Sequence, residues 1–117
     1  MALGRSAAWN DLDAAWEAFA GDLVDHLDYE ETEIFDDFGH ESAAQASILT
    51  QLLADHTSLR ERVEAITIEV RSREMRRETL ASFIGLLREH SEREDASVYP
   101  WLQQRRGRHN RTDRTLP

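Results

Sequence analysis

Apolar residues recur along this chain at steps of three and four, which is the period of one face of an α-helix. The pattern fills three long segments, from about residue 10 to 37, from about 42 to 71, and from about 72 or 74 to 104. The connections between the segments are short, and short connections make successive helices antiparallel neighbours. The pattern therefore predicts an all-α fold, an up-down antiparallel bundle of three long helices.

Each segment has one apolar face that is expected to point to the core, and polar residues interrupt that face. In the first segment the face comprises Trp9, Leu12, Trp16, Phe19, Leu23, His26, Glu30 and Glu33. In the second it comprises Leu49, Leu52, His56, Leu59, Val63, Ile66 and Val70. In the third it comprises Leu80, Phe83, Leu87, His90, Glu94, Ser97 and Trp101. We therefore expect three histidines and at least two carboxylates in the interior.

Two residues predict where helices end or bend. Gly39 is expected to end the first helix in the left-handed conformation that glycine tolerates. Pro100 lies inside the third segment and is expected to bend or end that helix near Tyr99. Residues 105–117 are polar, Arg-rich and aperiodic, which predicts a disordered tail. The chain is thus expected to divide into a helical domain, residues 1–104, and that tail.

Composition narrows the classes of function. The 117 residues suit one domain, and the absence of cysteine excludes disulfides, zinc–thiolate sites and iron–sulfur clusters. The net charge is −9, and residues 1–41 hold 12 acidic residues and one arginine. Such an acidic surface repels nucleic acid, and no apolar run approaches the roughly 20 residues that a bilayer span needs. We expect a cytoplasmic protein that binds neither nucleic acid nor membrane.

One motif occurs twice. The stretch HLDYEETEIFDDF, residues 26–38, returns as HSEREDASVYPWL, residues 90–102, at an offset of 64 residues. In each copy a histidine is followed by an acid four residues later and a second acid directly after, namely His26, Glu30 and Glu31, and His90, Glu94 and Asp95. A histidine and a carboxylate four residues apart lie on one helix face. Because alternate helices of an up-down bundle are parallel, we expect both motifs at one height.

The convergence of these residues predicts a metal site. His56 lies on the middle segment, so three imidazoles and two carboxylates would meet in the core. Such a mixed set suits iron, manganese or zinc. Burying Glu30 and Glu94 without a cation would cost several kcal/mol per ion. The alternative is a metal-free network in which an arginine, Arg60 for example, pairs with one of the buried acids.

These residues resemble the hemerythrin-like, or HHE cation-binding, domain, a four-helix bundle with a non-haem di-iron centre. Residues 26–30 resemble the H-x-x-x-E motif of its second helix, and His56 resembles the ligand of its third. Residues 90–95 resemble the motif of its fourth helix, with an acid at both spacings that the family uses. The resemblance implies His26, His56 and His90 as terminal ligands of two irons, with Glu30 and Glu94, or Asp95, as bridges.

Two departures from the family pattern matter. No histidine-bearing helix precedes His26, so the family's first helix is expected to be missing. In addition, Arg60 stands where oxygen carriers of the family place a second histidine of the third helix. The missing helix would leave a groove beside the site, lined by residues such as Trp16, Phe19 and Leu23, or Leu12. Three outcomes fit such a groove: a second copy covers it, a different protein supplies the helix, or this chain is a shortened form of a product that starts further upstream. We expect the first, which predicts a homodimer.

The expected function is that of an iron-binding protein, with a di-iron centre, that binds or senses dioxygen, nitric oxide or peroxide, or handles iron. One alternative is a di-iron enzyme of the peroxidase or catalase type, and another is a metal-free dimerisation or adaptor module. Glu31, Glu33 and Asp95 have two interpretations. They either orient the imidazoles from outside or form the solvated flank of their helices.

Overall fold

The computed structural model describes the backbone of residues 2–115 and the side chains of residues 7–107. Over residues 2–115 the chain forms five helices, namely α1 (Ala2–Glu33), α2 (Phe35–His40), α3 (Ala43–Arg71), α4 (Arg77–Ala96) and α5 (Val98–Thr115). The described part of the chain has no β-strand, which confirms the all-α prediction.

Three continuous rods result, because only Ile34 separates α1 from α2 and only Ser97 separates α4 from α5. The first rod runs antiparallel to α3. Early in α1 the indole Nε1 of Trp16 donates a hydrogen bond to Oγ1 of Thr67, late in α3, at 2.8 Å. The acids at the end of α1 instead contact the first half of α3.

The second and third rods also run in opposite directions. Arg62 of α3 donates to the Ser82 hydroxyl in the first half of α4, at 3.0 Å. Asp55, earlier in α3, contacts His90, later in α4. The helix α3 therefore packs against both of the other rods, α1–α2 and α4–α5.

The break between α4 and α5 follows from Pro100. Proline has no N–H to donate to the carbonyl of the residue four positions earlier, and its ring collides with that carbonyl. For Pro100 that residue is Ala96, which is the last residue of α4. The break predicted near Tyr99 thus lies two residues earlier, at Ser97.

Gly39 does not end the first rod in the predicted way. It lies inside α2, and no described glycine has a positive φ, so the predicted left-handed cap is wrong. The chain reverses instead at Glu41 and Ser42, and the Ser42 hydroxyl accepts a hydrogen bond from the backbone N–H of Gln45 at 3.1 Å. Gly39 instead lies close to α3, because a Cβ at this position would overlap the end of the Leu49 side chain, which would have to move.

We expect Gly39→Ala to lower the free energy of unfolding by about 1 kcal/mol, since overpacking against Leu49 outweighs the better helix propensity of alanine. The matched variant Gly21→Ala meets no atom within 4 Å and should raise it by about 0.5–1 kcal/mol. Urea unfolding followed by circular dichroism measures both. Equal gains from the two substitutions would show that Gly39 makes no close contact.

Two apolar clusters divide the core. One contains the buried residues Trp16, Ala20, Leu27, Leu59, Val63, Ile66, Val70 and Phe83. The other contains Phe35, Phe38, Leu52, Val98 and Trp101. On each rod the chain passes from one cluster to the other through buried polar residues. Four of them, which we call the polar layer, are Glu30, His56, His90 and Glu94, and the fifth, Asp55, contacts His90.

At the chain's far end, α5 extends to Thr115 and so includes most of the segment predicted as a disordered tail. The boundary of the domain at residue 104 stays a prediction. None of the helices, over residues 2–115, combines the length and apolar composition of a membrane-spanning segment.

Candidate metal centre

Four ionisable side chains in the polar layer are almost fully removed from solvent. The exposed fractions are 0% for Glu30 and His56, 2% for His90 and 3% for Glu94. Acidic side chains are almost never fully buried unless they are paired or coordinate a cation. Because apolar clusters lie on both sides, this layer is the one place in the described core where ionisable side chains are buried together.

The two buried imidazoles point their Nε2 atoms at each other, with 3.2 Å between them. Their Nδ1 atoms face outward to carboxylates, that of His56 to Glu31 Oε2 and that of His90 to Asp55 Oδ2, each at 3.0 Å. A carboxylate only accepts hydrogen bonds, so it holds the proton on Nδ1 and leaves a lone pair on Nε2. Two lone pairs at this distance repel each other unless a proton or a metal ion lies between them.

Each outer carboxylate is in turn held by an arginine. Arg60 contacts Glu31 and also Asp28, the latter at 2.7 Å. Arg93 donates to both oxygens of Asp55 at 2.6 Å. Burial opposes ionisation of Glu31 and Asp55, but these hydrogen bonds outweigh it and lower the pKa of both. Both therefore stay anionic and fix the orientation of the imidazoles.

The inner carboxylates lack such partners. Both oxygens of Glu30 and Oε2 of Glu94 make no hydrogen bond in the described structure. Nε2 of His56 lies 3.3 Å from Glu30 Oε1, and Nε2 of His90 lies 3.0 Å from Glu94 Oε1. Burial, followed by the neighbouring Glu94, raises the pKa of Glu30 to about 9. Without a cation the layer thus keeps a proton on Glu30 at neutral pH.

Two groups of potential ligand atoms meet in the polar layer. One comprises Glu30, His56 and His90, and the other comprises His26, Glu30 and Glu94, with the ligand atoms of each group within 4.8 Å of one another. Both groups contain Glu30. Imidazole nitrogens converge here with carboxylate oxygens, of which both on Glu30 and Oε2 of Glu94 have no hydrogen-bond partner in the described structure. Such a set of ligand atoms fits a divalent or trivalent cation such as iron. The residues present therefore fit the metal that the resemblance implies.

The structure brings five of the six predicted ligands together and leaves one outside. His26 joins through Nε2, which lies 3.5 Å from Glu30 Oε1, but 52% of its side chain is exposed. Asp95 is exposed and belongs to neither group, whereas Glu94 is buried. Of the two acids that were possible at this position, Glu94 is the one that the helix turns inward.

The metal-free alternative required an ion pair between an arginine and one of the buried glutamates. Arg60 contacts Asp28 and Glu31 and makes no ion pair with Glu30 or Glu94. No described arginine or lysine lies within ion-pair distance of these two glutamates, whose only such contacts are with histidines. The network around the site therefore holds the imidazoles and does not neutralise the inner carboxylates.

Asp55 is the functional residue that the periodicity missed. This residue is 4% exposed and its side chain hydrogen-bonds His90, although the predicted face of α3 passes through its neighbour His56. A signal was present, because Asp55 lies three residues after Leu52 and four before Leu59, which is also inward spacing. Of the three acids expected near the ligands, Glu31 contacts an imidazole and Glu33 is exposed like Asp95.

Comparison with known proteins agrees with this geometry. The chain matches the family described as hemerythrin HHE cation binding domain over residues 1–102 of its 117. No curated protein and no solved structure matches it. The match spans all three rods as far as Leu102 and includes every residue of the polar layer. The chain belongs to the hemerythrin HHE cation-binding domain family.

Proposed function

We propose that this protein binds two iron ions in its polar layer and uses them to bind or sense a small ligand such as dioxygen, nitric oxide or peroxide. One observation carries the proposal: the two groups of ligand atoms overlap at Glu30. A carboxylate shared by two groups is suited to bridge two ions. In this arrangement His26, His56 and His90 are terminal ligands, and Glu30 and Glu94 are bridges.

The chain's own residues prepare the site for this role. Glu31 and Asp55 hold His56 and His90 with their Nε2 lone pairs inward, so little reorganisation is needed when an ion enters. The apolar clusters on both sides keep bulk water out of the layer. Bound iron supplies a redox-active centre with affinity for small oxygen- and nitrogen-containing ligands.

Arg60 supports a role in binding an exogenous ligand, because an arginine at this position leaves open a coordination position that a histidine would fill. It occupies the position where oxygen carriers of the family have a further histidine, and its guanidinium is held by Asp28 and Glu31. Fewer imidazoles leave more positions for an exogenous ligand. Turnover of peroxide by the iron-loaded protein, lost in His90→Ala, would assign the enzymatic alternative instead of sensing.

We further propose that the three rods form an up-down bundle and that the protein is a homodimer. Support comes from the apolar side chains left exposed on α1 and α4, among them Phe19 at 44% and Ile84 at 45%. Such surface favours association with a partner. Light scattering at micromolar concentration should give twice the mass of one chain.

The test of metal binding is the iron content of protein purified after aerobic expression with added iron. We expect close to two irons per chain by mass spectrometry of the metals, together with near-ultraviolet absorption that the metal-free protein lacks. His90→Ala should lose most of the iron, because it removes one of the two buried imidazole ligands. Glu92→Gln, an exposed position on the same helix, should retain it.

A folded wild-type protein without iron, manganese or zinc would overturn the proposal and favour the adaptor module. One iron per chain would contradict the bridged pair and indicate a mononuclear site. Equal iron in His90→Ala and wild type would show that the metal lies elsewhere.

A further inference from the structure

The two groups of potential ligand atoms in the polar layer differ in how far they are enclosed. The first group, Glu30, His56 and His90, consists of buried side chains alone, and we call it the enclosed position. The second, which we call the edge position, combines Glu30 with His26 and Glu94. The His26 side chain is 52% exposed, whereas those of His56 and His90 are 1% and 2% exposed. Water therefore reaches the edge position and is excluded from the enclosed one.

Both imidazoles of the enclosed position are held by side chains of a neighbouring helix. Nδ1 of His56, on α3, contacts Glu31 Oε2 on α1, and Nδ1 of His90, on α4, contacts Asp55 Oδ2 on α3, each at 3.0 Å. The ring of Phe35 also packs against that of His56, with centroids 5.0 Å apart. Loss of one such orienting partner typically lowers metal affinity about 10–100-fold. The enclosed position thus has its nitrogen ligands oriented before an ion arrives.

The imidazole of the edge position is not held in this way. Among the described residues, the one ion-pair contact of His26 is the 3.5 Å from its Nε2 to Glu30 Oε1, which belongs to the site itself. No described carboxylate outside the site therefore orients this ring. An exposed ring keeps rotamers that point away from the site, and an ion that binds there has to restrict it at a cost in conformational entropy. The edge position also offers one imidazole where the enclosed position offers two.

We propose that the enclosed position binds its ion first and tightly, and that the edge position holds a second ion that is bound more weakly and exchanges with solvent. The inference rests on the proposed function, because it assigns different properties to the two ions of that site. An effect of about tenfold for each of two orienting partners multiplies to a difference in affinity of at least about 100-fold. The bridged pair then forms only when free metal is abundant, so its formation follows the supply of metal.

Repulsion between the two ions has to be separated from this difference between the positions. Both ions share Glu30, so the charge of the first weakens binding of the second even where the two positions are equivalent. The distinction lies in which histidine belongs to which binding step. Equivalent positions predict that loss of either His26 or His56 leaves one ion bound with similar affinity. Unequal positions predict that only loss of His56 removes the tight step.

Titration of the metal-free full chain with Co²⁺, followed by calorimetry and visible absorption, makes this distinction. Co²⁺ accepts the same nitrogen and oxygen ligands and is not oxidised by air during the measurement. We expect two steps for wild type, at least about 100-fold apart in affinity. His26→Gln should keep the tight step and lose the weak one, whereas His56→Gln should lose the tight step. His40→Gln is the control, since its side chain is 78% exposed on α2, and it should keep both steps.

Two results of the titration would overturn the inference. One is a wild type that binds two ions with equal affinity. The other is the same binding curve for His26→Gln and His56→Gln, with helicity of both intact by circular dichroism.

Release of metal to excess chelator tests the inference without a substitution in the buried core. The fully loaded wild type should release one ion per chain in a fast phase and the other in a slow phase, with rates at least about tenfold apart, because differences in affinity appear mostly in dissociation rates. His26→Gln, changed at an exposed position, should show the slow phase alone. A single phase that releases both ions of the wild type would contradict unequal positions.

The failure of this inference and that of the proposed function give different results. A wild type that binds no metal would overturn the proposed function and the inference with it. Two ions bound with equal affinity and released at equal rates would overturn the inference and leave the proposed function standing. One ion per chain, lost in His56→Gln and kept in His26→Gln with no second ion at millimolar Co²⁺, would overturn the edge position together with the bridged pair.

Discussion

Replacing Glu30 by glutamine is expected to weaken iron binding at least about 100-fold and, at the same time, to stabilise the metal-free protein. Loss of a residue that merely orients a ligand costs about 10–100-fold in affinity, and Glu30 belongs to both groups of ligand atoms. An amide of the same shape cannot supply the negative charge that the cation needs. Titration of the metal-free protein with ferrous iron under anaerobic conditions measures the loss.

The gain in stability has the opposite cause. Glu30 is fully buried and its oxygens make no hydrogen bond, so the metal-free fold carries an acid that it cannot solvate. Burial raises its pKa from 4.5 to about 9. Between these pH values the folded chain holds a proton that the unfolded chain has released. Stability of the metal-free protein therefore falls as pH rises, by up to about 1.4 kcal/mol per pH unit from this group.

Glutamine has no proton to release, so the stability difference between Glu30→Gln and wild type should be small near pH 5 and grow toward pH 8. Urea unfolding of both metal-free proteins at several pH values gives this difference directly. Glu92→Gln removes a charge from an exposed position and serves as the control, with no pH-dependent gain expected. A variant that binds iron like wild type, or a gain independent of pH, would remove Glu30 from the site.

The helical period was sufficient to predict that the main candidate ligands lie together. His56 and His90 were placed on inward faces by steps of three and four, and their Nε2 atoms meet at 3.2 Å. Glu30 and Glu94 follow because a residue four positions from an inward histidine shares its face. Glu94 and not Asp95 is buried for the same reason, since five residues add a further 100° of rotation around the helix.

The helical period gave incomplete or wrong expectations in two situations. In one, two neighbouring residues both have inward spacing, and in the other, no described helix covers part of the predicted inward face. Asp55 and His56 both have inward spacing from Leu52, and both are buried, but only the histidine was expected. Phe19 and His26 lie on the predicted inward face of α1 and remain about half exposed. A sequence pattern shows which face is apolar and cannot show which neighbour packs against it.

Helix breaks were a second source of error. The repeat aligned Phe38 with Leu102 at an offset of 64 residues, whereas the residue buried beside Phe38 is Trp101, with ring centroids 5.4 Å apart. Between the motif and this pair, α4 stops at Ala96 and α5 starts at Val98. Relative to its motif, the interruption at Ser97 comes one residue earlier than the interruption at Ile34 does. The offset between matching residues therefore changes from 64 to 63 beyond the interruptions. Local sequence similarity does not reveal such a shift.

Asp55→Asn is expected to weaken iron binding about 10–100-fold although Asp55 is not a ligand. Asparagine retains an oxygen that can accept from His90 Nδ1 but loses the negative charge that holds the imidazole and Arg93 together. His90 is then free to turn or to place its proton on Nε2, where a metal ion would bind. Iron affinity and free energy of unfolding should both fall, the latter by about 1.5–3 kcal/mol for a buried hydrogen bond to a charged group.

Glu31→Gln is the matched variant for His56. Glu31 is about one-third exposed, whereas Asp55 is almost buried. Solvent therefore compensates more of the interaction lost in Glu31→Gln, and this substitution should weaken iron binding less than Asp55→Asn does. If Asp55 acts through His90, adding Asp55→Asn to His90→Ala should weaken iron binding little further, because the group that Asp55 orients is already gone. Additive losses in this double-mutant cycle would show that Asp55 acts on the metal by another route, and an unchanged affinity in Asp55→Asn alone would show that helix packing is enough to keep His90 turned inward.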